Sequence, residues 1–83
     1  MATQKEIDEV WDKGQVVKGK NPDLYRKDSQ GNLIYKSSYG MNSAMGWEID
    51  HKLPKAKGGS DNLRNKQPLQ TSENRKKSDK YPY

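Results

Sequence analysis

Cysteine is absent from the 83 residues, which excludes disulfides and cysteine-based zinc sites together. Phenylalanine is absent as well, and only 29% of the residues are hydrophobic. A chain this short buries a modest share of its surface, so its core must be thin. No apolar run approaches the ~20 residues that a membrane span needs. The opening Met1-Ala2-Thr3-Gln4-Lys5-Glu6 has neither the basic start nor the apolar stretch of a secretory signal. These absences predict an intracellular, soluble (cytoplasmic) protein with no membrane partner, organised as a single domain over residues 1–83. Small domains usually need help from disulfides, a metal or a partner. With disulfides excluded, a bound metal or a nucleic-acid partner remains as a source of stability.

The net charge of +5 is unevenly distributed. Residues 1–50 carry seven Lys/Arg against eight Asp/Glu, whereas residues 51–83 carry nine against three. Such a basic half is a footprint for a polyanion, although a solvated surface would look the same from charge alone.

Thr3-Gln4-Lys5-Glu6 fits a capping box, with Thr3 accepting from a backbone N–H and Glu6 reaching back. Ile7, Val10 and Trp11 follow at helical spacing, and Gly14 is a natural stop. Leu24 to Lys27 and Leu33 to Lys36 flank Ser29-Gln30-Gly31-Asn32, which predicts a β-hairpin. Ser37 to Gly46 reads as a connection. Trp47, Ile49 and His51 then alternate with Glu48, Asp50 and Lys52, a strand pattern that Pro54 ends. Lys55 to Asp61 is a loop with freedom at Gly58 and Gly59. Asn65 to Leu69 makes a second strand, which Pro68 confines to an edge or bulge. Thr71 is a good N-cap for a helix running to about Asp79. The tail Tyr81-Pro82-Tyr83 cannot continue that helix past Pro82. Trp11, Trp47, Ile49, Leu53 and Leu69 are the expected core, and Arg26 an exposed strand arginine.

Four blocks carry chemistry: Trp47-Glu48-Ile49-Asp50-His51-Lys52-Leu53-Pro54, Lys57-Gly58-Gly59-Ser60, Asn65-Lys66-Gln67-Pro68-Leu69, and Glu73-Asn74-Arg75-Lys76-Lys77-Ser78-Asp79. In order and spacing they resemble the HNH endonuclease family. The resemblance implies an α+β fold: a small ββα-metal (HNH) finger over residues 47–80, extended by an N-terminal helix and β-hairpin in residues 1–46. It implies His51 as the general base that takes a proton from the attacking water, and Asp50 before it as a metal ligand. Asn65 matches the central Asn, which pins the loop so that the base is oriented. It is preferred to Asn62 because it heads the run to Leu69 and stands nine residues before Asn74. Asn74 matches the second protein ligand. With Asn in that place the motif is an HNN variant, similar to the HNH domains of CRISPR effector nucleases.

The chemistry of these residue types agrees with those roles. Phosphodiester hydrolysis needs an activated water, charge neutralisation at phosphate and a stabilised leaving oxygen. Histidine titrates near neutrality, so a neutral imidazole is available as base. One divalent cation can neutralise the phosphate and the leaving oxygen. Asp carboxylate and Asn carbonyl are hard oxygen donors, suited to Mg²⁺ first and Mn²⁺ next. Zn²⁺ bound in a crystal would also be compatible, because affinity order favours later transition metals. Lys77, on the helical face of Asn74, is expected at the scissile phosphate or its neighbour. Lys55, Lys57, Arg64, Arg75 and Lys76 are candidates for DNA backbone contacts. One geometric tension stands. Adjacent residues in a regular strand face opposite ways, so Asp50 and His51 share a site only if the strand ends, twists or bulges there.

The reading is thus a metal-dependent endonuclease of DNA with weak sequence preference, since base readout needs an element in a groove. A catalytically silent nucleic-acid-binding module and a domain that keeps a metal only to fold are the alternatives. The joint presence of Asp50, His51, Asn65 and Asn74 favours the enzyme. Oligomeric state is not readable from the sequence.

Overall fold

The computed structural model describes residues 2–77. In chain order it contains α1 (Gln4–Trp11), β1 (Tyr25–Lys27), β2 (Leu33–Tyr35), β3 (Trp47–His51), β4 (Lys66–Gln70) and α2 (Thr71–Lys77). Short 3-10 turns at Lys36–Ser38, Lys55–Lys57 and Leu63–Asn65 join them. β1 pairs antiparallel with β2, and β3 with β4. The fold is therefore mixed α+β, with the order strand, loop, strand, helix in its second half. Among the described residues no helix is long and apolar enough to cross a membrane.

Thr3 caps α1 by accepting from the Glu6 backbone N–H at 3.2 Å. The capping box stops there, because the Glu6 carboxylate turns inward to the Lys66 ammonium instead of reaching back. A cation with little exposure outcompetes a solvated backbone N–H for the carboxylate. The hairpin forms as its turn residues predict, with Gly31 at φ +82°. Its turn is organised by Asp28, a residue given no role from the sequence. This carboxylate is 1% exposed and accepts from Gln30 N, Asn32 N, Asn32 Nδ2 and, across the fold, Gln70 N. Four donors offset the cost of burying the charge and fasten the hairpin to the end of β4.

Trp47 stands at the centre of the core. Its ring lies 5.2 Å from that of Trp11 and 5.0 Å, edge-on, from that of Tyr39. Both indole N–H groups are satisfied, Trp11 by Pro22 O and Trp47 by Lys36 O. Val10 and Ile34 complete the buried cluster, against which Ile7, Tyr39 and Ile49 pack. The expected core is thus found at Trp11, Trp47 and Leu69, with Ile49 and Leu53 half-buried and Val10 and Ile34 added. Val10 and Trp11 meet the core because they sit together on the apolar stripe of α1. Arg26 is not the exposed strand arginine expected. Its side chain is 13% exposed and donates to Pro22 O, Asp12 O and Gly14 O, closing the turn after α1.

Thr71 is the first residue of α2 and not its cap. Its hydroxyl donates to Met41 O at 2.8 Å and its N–H to Gly46 O at 2.9 Å. The predicted continuation of α2 to Asp79 and the stop at Pro82 lie outside the described residues.

Between β3 and β4 the chain turns tightly. Pro54 O accepts from both Lys57 N and Gly59 N. Gly58 adopts φ +88°, and a Cβ on Gly59 would fall 1.7 Å from Leu53 O. The two glycines therefore serve different needs, a left-handed conformation and a close backbone approach. Gly58→Asn is expected to be tolerated, because Asn enters the left-handed region readily. Gly59→Ala is expected to cost ~1–3 kcal/mol, as overpacking does. Urea denaturation of the two variants checks the contrast, and equal costs would contradict it.

Candidate active site

The candidate residues gather where β3 ends. Alternation along β3 sends Glu48 and Asp50 toward α2, and sends Trp47, Ile49 and His51 the other way. The strand stops at His51, and both Asp50 and His51 are among the residues around one open cleft at its end. That cleft, of about 240 Å³, is lined by Ile49, Asp50, His51, Pro54, Lys55 and Asn74. The ladder runs unbroken through Asp50 and His51, paired with Gln67 and Lys66, so the two residues border the cleft from opposite faces of β3.

Asp50 is 4% exposed. Lys77 Nζ donates to its Oδ1 at 3.0 Å and Gln67 Nε2 to its Oδ2 at 2.9 Å. Gln67 can do so because the antiparallel register sets it directly opposite Asp50. Lys77 is itself 2% exposed and also donates to His51 O at 2.8 Å and Lys52 O at 3.3 Å. An ammonium has three protons, and all three are taken. The phosphate contact expected of Lys77 is therefore not what the structure holds. Its charge neutralises Asp50 and grips the backbone that follows it.

Asn65 continues the sheet after β3 has ended. Lys52 N donates to Asn65 O, and then the Asn65 side chain takes over, accepting from Leu53 N at 2.9 Å and donating to Leu53 O at 3.1 Å. The same amide nitrogen donates to Ser60 O at 2.7 Å. One side chain thus clamps both arms of the loop, and Asn62 makes no comparable contact.

His51 Nε2 lies 3.0 Å from Asp61 Oδ1. That same oxygen lies 3.2 Å from Lys66 Nζ and 3.5 Å from Lys55 Nζ. The hydrogen bonds from His51 and Lys66, with the nearby charges of Lys55 and Lys66, hold the Asp61 carboxyl well below the usual carboxylate range. Lys66 is 4% exposed; its ammonium is shared with Glu6 on α1, whose hydrogen bond leads the effects that raise its pKa. Asp61 was read only as part of a loop. Its partner lies ten residues away, and no local pattern announces such a pair. Glu48 was also missed, although alternation put it on the same face of β3 as Asp50.

Asn74 Nδ2 donates to Glu48 Oε1 at 3.0 Å. A carboxylate only accepts, so this contact orients the amide and leaves Asn74 Oδ1 as the donor atom for the cleft. Asp50 and Asn74 are of the donor type that a divalent cation takes. Each Asp50 oxygen keeps a lone pair beyond its one hydrogen bond, and both protein donors are hard oxygens. No group of three His, Cys, Asp or Glu side chains suited to a metal occurs among the described residues. Water and phosphate would have to supply the other positions. Lys55, Lys57, Arg64, Arg75 and Lys76 are exposed. Arg75 lies 3.9 Å from Glu48 and Lys76 3.6 Å from Glu73, surface pairings too weak to withhold them from a phosphate.

A strand, a glycine-turned loop, a strand and a helix, with a histidine and oxygen donors at one end, define a small ββα finger. The family model described as HNH endonuclease matches residues 37–83, more than half of the chain, and the chain belongs to that family. Comparison with curated proteins and with solved structures returns no match. Membership implies nuclease activity on a nucleic-acid substrate.

Two substitutions probe the supports of the site. Lys77→Met strands a buried carboxylate and is expected to cost ~3–5 kcal/mol of stability in urea denaturation, as breaking a buried pair does. A cost near zero would mean that the ammonium is solvated. Asn65→Asp removes both donors and sets an anion against Leu53 O and Ser60 O. It is expected to melt at lower temperature than Asn65→Ala, by differential scanning calorimetry.

Proposed function

We propose that this protein is a metal-dependent endonuclease that hydrolyses DNA phosphodiester bonds, with His51 as general base and Asp50 and Asn74 as metal ligands. The observation that carries this reading is the cleft that joins Asp50, His51 and Asn74 from two elements distant in sequence. His51 takes a proton from water as the water oxygen bonds to phosphorus, and the bond from phosphorus to the leaving oxygen breaks. When bound, one divalent ion, Mg²⁺ or else Mn²⁺, supplies charge neutralisation at the phosphate and the leaving oxygen. Asp50 and Asn74 hold that ion, Lys77 positions Asp50, and Asn65 positions the loop. Lys55, Lys57, Arg64, Arg75 and Lys76 bind the DNA backbone, which supports affinity without sequence readout. The shared tryptophan core supports residues 1–46 and 47–80 acting as one domain.

A plasmid-nicking assay with Mg²⁺, with and without EDTA, tests the reading. Cleavage is expected with the metal and none with chelator; equal cleavage in both would remove the metal from the mechanism. His51→Ala should lower turnover by the ~10²–10⁴-fold typical of losing a general base, at every Mg²⁺ concentration. Asn74→Ala loses an oxygen ligand, so its defect should shrink as Mg²⁺ rises. Salt-dependent DNA binding should persist in His51→Ala. Binding without cleavage in the unaltered protein would identify a silent nucleic-acid-binding module instead.

A further inference from the structure

We propose that Asp61 is the positioning residue for His51, holding the imidazole as its Nε2–H tautomer so that Nδ1 is the nitrogen that accepts the proton. The inference rests on His51 being the base, and adds which of its atoms reacts and what sets that choice. Asp61 Oδ1 stands 3.0 Å from His51 Nε2. A carboxylate offers no proton, so in the neutral ring Nε2 must carry one and Nδ1 must be the lone-pair nitrogen. Nδ1 has no hydrogen-bond partner among the described residues, and His51 lines the cleft.

An exposed carboxylate beside a histidine is ordinarily a weak device, worth ~0–1 kcal/mol. Asp61 is 66% exposed, but two constraints keep it in place. The first is Lys66, directly opposite His51 in the β3–β4 register. Its side chain is 5% exposed and bonded to Glu6 of α1, so its ammonium cannot wander, and Asp61 is drawn to a fixed point beside the imidazole. The second is Asn65, which holds Leu53, two residues after His51, and Ser60, one residue before Asp61. A single amide therefore sets the separation between base and carboxylate. Glu6, Lys66, Asp61 and His51 form a continuous chain of contacts from the N-terminal helix to the cleft. A base oriented by a third group follows the general logic of activated sites, and after proton transfer the Asp61 carboxylate faces the imidazolium.

The chain has one histidine, so imidazole ¹⁵N resonances belong to His51 without ambiguity. In the 83-residue chain, with the ring neutral, the spectrum should show Nε2 protonated and Nδ1 bare. The opposite tautomer, or an even mixture, overturns the proposal with no variant needed. In Asp61→Ala the ring should become a tautomer mixture, and kcat should fall ~10–100-fold, as when an orienting partner is lost, with KM little changed. Asp61→Glu should recover part of both. An unchanged spectrum in Asp61→Ala, or a rise in KM at constant kcat, overturns it. These outcomes are separable from failure of the nuclease reading. If His51→Ala cleaves normally, the base assignment falls, while the ring spectrum still reports on Asp61. If His51→Ala is inactive and Asp61→Ala keeps full kcat, only the role of Asp61 falls.

Discussion

The ion pair between Lys77 and Asp50 is the contact on which the geometry of the cleft depends. Both partners are withdrawn from water, at 1% and 4% side-chain exposure, and desolvating two charges costs several kcal/mol per ion. Mutual attraction repays that only with good geometry and further hydrogen bonds. Here Lys77 has its three acceptors and Asp50 its two donors. The result is directional. α2 is locked against the end of β3, β4 is held in register through Gln67, and the carbonyls of His51 and Lys52 are fixed just where the strand must stop.

Around that pair, most polar groups of the site are already committed to one another. Asn65 uses its oxygen and both amide protons on the loop, Glu48 takes the Asn74 nitrogen, and Asp61 takes His51 Nε2. His51 Nδ1 and the Asn74 carbonyl oxygen have no hydrogen-bond partner among the described residues. Commitment of this kind preorganises a site, because each group's orientation is set by its partner before a ligand arrives. The exposed lysines and arginines around it are constrained far less, as suits contacts to a backbone that carries charge and no sequence information.

The N-terminal half is not a passenger. Trp11 packs on Trp47, the residue that opens β3, and Glu6 bonds Lys66, the residue that opens β4. A two-stranded hairpin is marginal by itself in water, and this one gains its second face from α1. Asp28 adds a third tie by accepting from Gln70 at the end of β4. The acidic half and the basic half thus meet through Glu6 and Lys66, so the charge asymmetry of the sequence is partly cancelled inside the fold.

Much of this was legible from the chain alone. Period-two alternation announced β3, turn residues announced the first hairpin and the glycine loop after β3, and the order of Asp50, His51, Asn65 and Asn74 announced the family, since these signals are local or depend only on spacing. Alternation left open whether β3 ends, twists or bulges at Asp50 and His51, with Pro54 close by to end it, and the structure ends it at His51. Lys77 was misplaced because helical spacing puts it on the face of Asn74 and says nothing of depth; only packing made that face an interior. Arg26 and Glu6 were misjudged for the same reason, as each found a partner across the fold in place of water or its own turn. Asp61, Glu48 and Gln67 had no role in the sequence because a carboxylate or amide gains one only from what stands opposite it. The sequence by itself determined the elements, their order and the residues able to do chemistry. Which atoms of those residues are held, and which are left free, was decided by tertiary structure, because orientation is set by partners that only the fold brings opposite.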